Sequence, residues 1–548
     1  MQQIKPNFQT SVSKLRDMAV ALLEEVVADL DEKWGGGEIS ASAYDTAWVA
    51  MVRNPHNPNE LAFSQSFNWL LEYQAIDGGW GNGLFSYRIL PTLAALLALL
   101  KAPERTEKTC IATERAKAFL YTAFDQWSYE QNKDASPSYE ILITLILMPN
   151  LLTEVKKQGV EFEFLGKSEL QHDAQKFLVH ASELIFNDEP FFIHFLEAFA
   201  TSVDFKSLKK LQAAYGGYGC SPSATAAVLI YGSEWDDAAA NWLTHLSNRA
   251  FDGVKGAMPC FYPVDCWEVA CVLYNLATGG FDLKHDFPQQ LLQKLLSWLQ
   301  LSLTSQGVGM SLLGGIPNDA HCTSLVVLVL NKLGLKVPVD CLLYFERSDY
   351  FACFDKGNWP AFHSYILAAL LSFPSIERSP LSAKIAKLVD ILYFTKDDEG
   401  FWTYDSNINP FYGTALAVRS LSMHEEPIVK NNLKTTIKWV LSTQSDVDGG
   451  WGCSNYSTLE ETAYALSILQ SVSDLIEPFD YQVYREAIHR GVDYILQHLD
   501  EFYPDYNVFL PKFSLGKELH TYKRIVFSVL IGVLYHFTNM DWSDYSHG

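Results

Sequence analysis

A glycine and tryptophan turn followed by an apolar helix returns along this chain at a near-constant step, and that repeat limits the folds open to it. Gln74-Ala-Ile-Asp-Gly-Gly-Trp-Gly81 precedes the apolar run Thr92–Leu100. Gln444-Ser-Asp-Val-Asp-Gly-Gly-Trp-Gly452, one residue longer, precedes Glu461–Leu469. Worn copies lie between them: Gln212–Gly219 before Ser221-Pro-Ser-Ala-Thr-Ala226, Gly309 before Asp319, Gly357-Asn-Trp359 and Gly400-Phe-Trp402. The glycines at 309, 357, 400 and 450 are spaced by 48, 43 and 50 residues. A turn plus apolar helix at that period signals stacked helical hairpins, and alternating β-branched runs are nearly absent. The expectation is an all-α chain of two α/α barrels. Residues 1–19 and 276–548 are expected to form one, with room for about six hairpins, and residues 20–275 a second, related one. No low-complexity linker separates them, so a rigid interface is expected, and ligand sites favour such junctions. Within the turn the glycines allow tight backbone angles, Gln and Asp satisfy helix ends, and Trp covers the turn. This is stapling, and no catalytic role is assigned to it.

The most constrained stretch runs from Gly307 to Gly334. A glycine-rich segment leads to Pro317-Asn-Asp319, and an almost wholly apolar helix follows through Leu330. Asn318 or Asp319 suits the N-cap, which sets Asp319, His321 and Cys322 in the first turn of a buried helix. Titratable groups at the buried end of such a helix are candidates for chemistry; the alternative is a capped core helix with one incidental histidine.

Composition excludes several classes. The chain has 548 residues, enough for two domains. Its 41 basic and 64 acidic residues give a net charge of −23, which argues against nucleic acid and anionic lipid. Nine cysteines without Cys-x-x-Cys spacing indicate neither zinc nor a disulfide framework, and favour a reducing, cytoplasmic setting. Met1–Arg16 lacks the apolar segment of a secretory signal. The longest apolar runs, such as Ile525–Tyr535, are shorter than the roughly 18–20 residues a membrane helix needs, so no stable membrane insertion is expected. Aromatic residues at 14% suit either a core or a large apolar cavity.

Taken in order, Ser42-Ala-Tyr-Asp-Thr-Ala-Trp-Val-Ala50, the tryptophan units at Gln74 and Gln444, Ser221-Pro-Ser-Ala-Thr-Ala226, Tyr262-Pro-Val-Asp-Cys-Trp267 and Asn409-Pro-Phe-Tyr-Gly-Thr414 resemble class II diterpene cyclases of the copalyl-diphosphate-synthase-like, βγ type. The resemblance covers nearly the whole chain. It implies two helical barrels, β and γ, with a deep cavity at their interface. It also implies protonation-started cyclisation of geranylgeranyl diphosphate with the diphosphate retained, which leaves a downstream diphosphate-processing terpene synthase as a partner.

One departure stands out. The family's acid motif, Asp-x-Asp-Asp-Thr, aligns with Asp319-Ala-His321-Cys322-Thr323, so the middle aspartate that protonates the alkene is a histidine here. A carboxylic acid starts near pKa ~4 and an imidazolium near ~6.5, so the exchange weakens the donor by about 3 kcal/mol. An imidazolium at a helix N-terminus also opposes the helix dipole. Three outcomes remain open: Asp319 is the acid, an Asp319–His321 pair donates, or proton-started chemistry is lost. Cys322 completes the candidate catalytic set.

The family's magnesium-associated acidic motif falls on Glu130-Gln-Asn-Lys-Asp134, where one carboxylate is missing and Glu130 and Asp134 remain as oxygen ligands for Mg²⁺. Arg88 is placed to meet a phosphate or to brace a turn. Tyr262, Trp267, Trp359, Trp402, Phe411 and Tyr412 are candidates to face carbocations with their π-clouds. Asp236-Asp237 and Asp397-Asp398 lack the third aspartate of an ionising motif. The leading expectation is a cyclase with Asp319 and His321 sharing the acid work. Its rivals are a diverged relative that binds a prenyl ligand without this chemistry and, remotely, a glycosidase using Asp398 and Glu399.

Overall fold

The computed structural model describes residues 12–131, 138–179, 185, 190–199, 203–357, 359–404, 407–452, 456–477, 480–502, 511–514 and 516–540. After α1 (Val12–Asp29), a first ring closes through α2 (Ala43–Ala50), α3 (Phe85–Leu100), α4 (Ser138–Lys157), a 3₁₀ segment (Pro190–Phe199) and α5 (Pro222–Tyr231), which returns to pack on α2. A second ring closes through α6 (Asp265–Thr278), α7 (Ala320–Lys332), α8 (His363–Leu371), α9 (Pro410–Ser422), α10 (Leu459–Ser471) and α11 (Lys523–Asn539), which packs back on α6. The inner helices are buried along nearly their whole length, as in α7, where Cys322 through Leu330 are all buried. Outer helices such as Glu107–Gln126 on α3 and Ser382–Phe394 on α8 bury one stripe only. The fold is therefore all-α, with three two-stranded sheets among the described residues as clasps.

The expected boundaries at 19/20 and 275/276 cut through two helices of the second ring. The buried stripe of α1 packs with α11, α6 and the Gln289–Ser302 helix, and α6 is itself an inner helix of that ring. No change of composition marks either place, because both helices carry the same buried pattern as their neighbours.

The repeat has a common hydrogen-bond logic. In three copies the tryptophan amide donates to a threonine in the following inner helix: Trp80 to Thr92 at 2.9 Å, Trp402 to Thr414 at 3.0 Å and Trp451 to Thr462 at 2.9 Å. Each indole then donates outward to a carbonyl of the preceding helix, Leu70, Leu392 or Val440. Tyr218 to Thr225 and Val308 to Thr323 repeat the amide half without tryptophan. Gln74 and Gln444 tie their turns to the next outer helix through Ala112 and Ala487. Buried amides must find acceptors, so each staple fixes one inner helix against its turn.

The two rings are joined by a hairpin pairing Phe513–Ser514 with Leu519–His520. At its tip Gly516 has φ of +85° and lies against Ile143 of α4, where a Cβ would come within 2.3 Å of that side chain. The next residue, Lys517, is fully buried in the first ring. Its ammonium donates to the His194 carbonyl at 2.8 Å and to Ser221 and Ser223 Oγ at 2.6 and 2.8 Å, and faces Asp45 and Glu197 at 3.6 and 3.4 Å. Two of the stretches that carry the family resemblance, around Ser42–Asp45 and Ser221–Ser223, thus converge on one lysine.

Candidate active site at the mouth of the second ring

The N-termini of α6 to α11 gather at one end of the second ring, since each inner helix follows an outer helix and a turn. Asp319 is the N-cap of α7: its Oδ1 accepts from the amides of His321 and Cys322 at 2.9 and 2.8 Å. Its Oδ2 is buried without a partner among the described residues. Burial pushes the Asp319 carboxyl up to about 6, opposed by the Cys322 and His321 amides.

His321 does not share this proton. Its Nε2 accepts the Phe362 amide at 2.7 Å, and its ring stacks on Phe362 with centroids 4.3 Å apart. A nitrogen that accepts a hydrogen bond carries no proton, so the ring is neutral with Nδ1–H, which lies 3.9 Å from both Asp319 Oδ1 and Cys353 Sγ. Although 17% of the side chain is exposed, burial of the ring and the nearby His363 push its pKa down to about 3. The expected Asp319–His321 acid pair therefore reduces to a carboxyl group beside a neutral imidazole. Cys322 rests its sulfur 3.4 Å from Met310 Sδ, and burial raises its thiol pKa far above the usual range. It packs, and offers no thiolate. Thr323 is the staple for Val308.

Below this mouth a narrow cavity lies inside the second ring. Trp267, Tyr274, Tyr365, Tyr412 and Tyr464 line it, with Arg419 at the side. The Tyr365 and Tyr412 hydroxyls are 3.0 Å apart. Arg419 is buried and donates to Ser467 and to Asn275 at 2.8 and 3.0 Å.

Of the aromatic residues expected to line a cavity, Trp267 and Tyr412 do so. Trp402 is a staple, with its indole bound to the Leu392 carbonyl. Phe411 turns outward onto Trp439, centroids 4.8 Å apart. Tyr262 is buried between Arg249, which donates to its hydroxyl at 3.2 Å, and Phe251. Trp359 stands edge-on to Phe191 and Phe192 of the 3₁₀ segment, a contact between the rings. Arg88 forms a two-pronged pair with Asp77 at 2.6 and 2.7 Å and covers Phe119, bracing the first tryptophan turn. Glu130 is exposed, and Asp134 lies outside the described residues. Among the described residues no group of three or more metal-ligating side chains is assembled. Glu130 and the other described residues do not by themselves assemble a magnesium site.

Sequence reasoning passes over Tyr365, Tyr464, Arg419 and the adjacent pair Glu460 and Glu461 at the start of α10. Both glutamates are buried. Lys512 forms an ion pair with Glu461 and donates to Thr458 Oγ1 at 3.2 Å. Neither oxygen of Glu460 has a hydrogen-bond partner among the described residues. Burial raises the Glu460 pKa, Lys512 opposes the rise, and Glu461 adds to it. The signal that finds Glu460 is its place two residues before the staple Thr462.

Comparison with known proteins agrees with this architecture. Residues 362–503 match the squalene-hopene cyclase C-terminal domain family. The chain is 26% identical over 482 residues to a copalyl diphosphate synthase of Talaromyces verruculosus, covering 83% of this chain and 49% of that one. The chain thus spans about half the length of that relative. It is 27% identical over 536 residues to a (+)-kolavenyl diphosphate synthase of Herpetosiphon aurantiacus, covering 94% and 96% of the two chains. Its fold matches that of an ent-copalyl diphosphate synthase from Streptomyces platensis with a TM-score of 0.75 at 22% identity, over 95% and 99% of the two chains. With two closed helical rings and its motifs in order from end to end, the chain is similar to class II diterpene cyclases in sequence and in fold.

Proposed function

We propose that the protein converts geranylgeranyl diphosphate, or a related prenyl diphosphate, to a cyclic diphosphate, starting with protonation of the terminal alkene by a buried carboxylic acid at the mouth of the second ring. The observation that carries this is a set of buried carboxyl oxygens at the mouth with no hydrogen-bond partner among the described residues, Asp319 Oδ2 among them. Protonating an alkene needs an acid kept neutral and out of water, and burial supplies that state. The neutral imidazole of His321 orients the start of α7 and excludes water from Asp319. Trp267, Tyr365 and Tyr412 offer π-faces to the cation that protonation creates. The diphosphate is untouched, so a separate ionising synthase is the consumer of the product. Eight cysteines among the described residues are free, in keeping with a cytoplasmic setting.

The test is incubation with geranylgeranyl diphosphate, with and without magnesium, followed by phosphatase and gas chromatography–mass spectrometry. A cyclic alcohol is expected. Recovery of geranylgeraniol alone, with the ligand bound in calorimetry, would instead favour a prenyl-diphosphate-binding protein, the second reading that the loss of the middle aspartate allows.

A further inference from the structure

The staples set the repeats in a common register. Thr323 in α7 and Thr462 in α10 accept the same turn amide, and four residues earlier Asp319 and Thr458 are the two N-caps. Position 321 and position 460, each two residues before its threonine, are therefore equivalent places on their helices. In the ring order α6 to α11, α7 and α10 stand three places apart in six, on opposite walls of one mouth. Where one wall carries His321, the other carries Glu460.

Glu460 is 2% exposed, and one helical turn below it on the same face Tyr464 lines the cavity. Among the described residues Glu460 has no ion-pair partner of its own. Lys512 is the cation that acts on it among the described residues, and it is paired with Glu461 and bound to Thr458. A buried carboxylate with neither a cation nor a donor retains its proton instead. Around it stand Glu461 and Tyr464 on its own helix, Lys512 just before the Phe513–Ser514 strand, and Tyr412, whose ring lies 5.4 Å from that of Tyr464, from α9.

We propose that Glu460 is a proton-donating catalytic residue of this cyclase, supplying from the opposite wall the acid that position 321 has lost. This rests on the cyclisation reading above. The Glu460 O–H bond breaks, and the proton forms a C–H bond with the π-electron pair of the terminal alkene, leaving a carboxylate and a tertiary carbocation. Internal alkenes close the rings, the last cation releases a proton to water, and Glu460 regains one from solvent. The net change is an isomerisation.

With geranylgeranyl diphosphate, Glu460→Gln is expected to lower kcat by about 10²- to 10⁴-fold, the usual reach of a positioned general acid, with KM near that of the parent. Glu460→Asp, which keeps the acid, is expected to recover part of the rate. Glu460→Gln turnover within about threefold of a productive parent overturns the proposal and leaves the cyclisation reading intact. A parent that forms no cyclic product overturns the cyclisation reading and the donation step together. Infrared difference spectra between neutral and alkaline pH are expected to show a carboxylic-acid C=O band that Glu460→Gln removes. A band undiminished in the variant overturns the proposal at any level of activity.

Discussion

Replacing Lys517 with Met tests the account of how the two rings are joined. Methionine retains most of the stem's volume, so the change removes charge and donors without opening a cavity. What is lost is concrete: three bonds of 2.6–2.8 Å to His194, Ser221 and Ser223, and the attraction to Asp45 and Glu197 at 3.4 and 3.6 Å. Breaking a fully buried ion pair from one side costs about 3–5 kcal/mol, because the partner charges stay behind. The variant has two carboxyls left behind, both already held above their ordinary range by burial and restrained by Lys517. Without the lysine both rise further. A carboxyl whose folded pKa lies above its unfolded value stabilises fully below the unfolded value and loses that stabilisation as pH rises through the folded one. The deficit of Lys517→Met is therefore smallest near the ordinary carboxylate range and widens as pH increases. Urea unfolding followed by far-ultraviolet circular dichroism at several pH values reads both quantities. A variant within about 0.5 kcal/mol of the parent at neutral pH, with a pH-independent difference, would refute the cluster as the clasp between the rings.

Two shorter predictions concern the staples and the altered motif. Thr462→Val is nearly isosteric but leaves the buried Trp451 amide without its acceptor at 2.9 Å, and is expected to cost about 1–3 kcal/mol in the same unfolding assay. Asp319→Asn keeps a capping oxygen but removes a carboxyl held up at about 6. The parent loses that carboxyl's stabilisation between its unfolded value near ~4 and about 6, so the variant gains on the parent across that window, by up to about 3 kcal/mol above it. A stability difference that is flat from pH 4 to 8 would show that Asp319 is not desolvated.

The repeat was legible because each staple is local: a turn amide and a threonine 11 or 12 residues on recur in the three tryptophan copies. The same register identifies Trp402 as a staple, a signal that aromatic counting misses, since an apolar face at helical spacing does not say whether it meets a cavity or the outer helix. Phe411 and Tyr412 show the limit. Adjacent on α9, one meets Trp439 outside the ring and the other lines the cavity within it. The Lys517 cluster is illegible for a different reason. Its hydrogen bonds join Lys517 to residues 294 to 323 positions away, and nothing local announces that a lysine after Gly516 is swallowed by another ring. His321 was half legible: its place at the helix mouth follows from the motif, but its neutrality follows from the Phe362 amide 41 residues away.

The equivalence of positions 321 and 460 leads to a rescue experiment. In a repeat protein a side chain's direction is set by its register against the staple, so the same chemistry can stand on any inner helix without moving the backbone. If Glu460 on α10 does the work that an aspartate at 321 does in the family, then a carboxyl placed back on α7 serves in its stead. The double variant His321→Asp/Glu460→Gln is expected to exceed Glu460→Gln in cyclisation rate by at least tenfold. Recovery falls short of the parent, because the Phe362 amide loses its acceptor at 2.7 Å and the new carboxyl stands beside Asp319. Two carboxyls at close quarters share one proton, and the first to ionise raises the other, so the rescued enzyme titrates as a pair rather than as one acid. Its rate is expected to fall as pH rises through the upper of the two values. Product formation by the double variant no faster than by Glu460→Gln, with its fold intact by circular dichroism, would mean that the two walls are not interchangeable and that the register argument ends at the backbone.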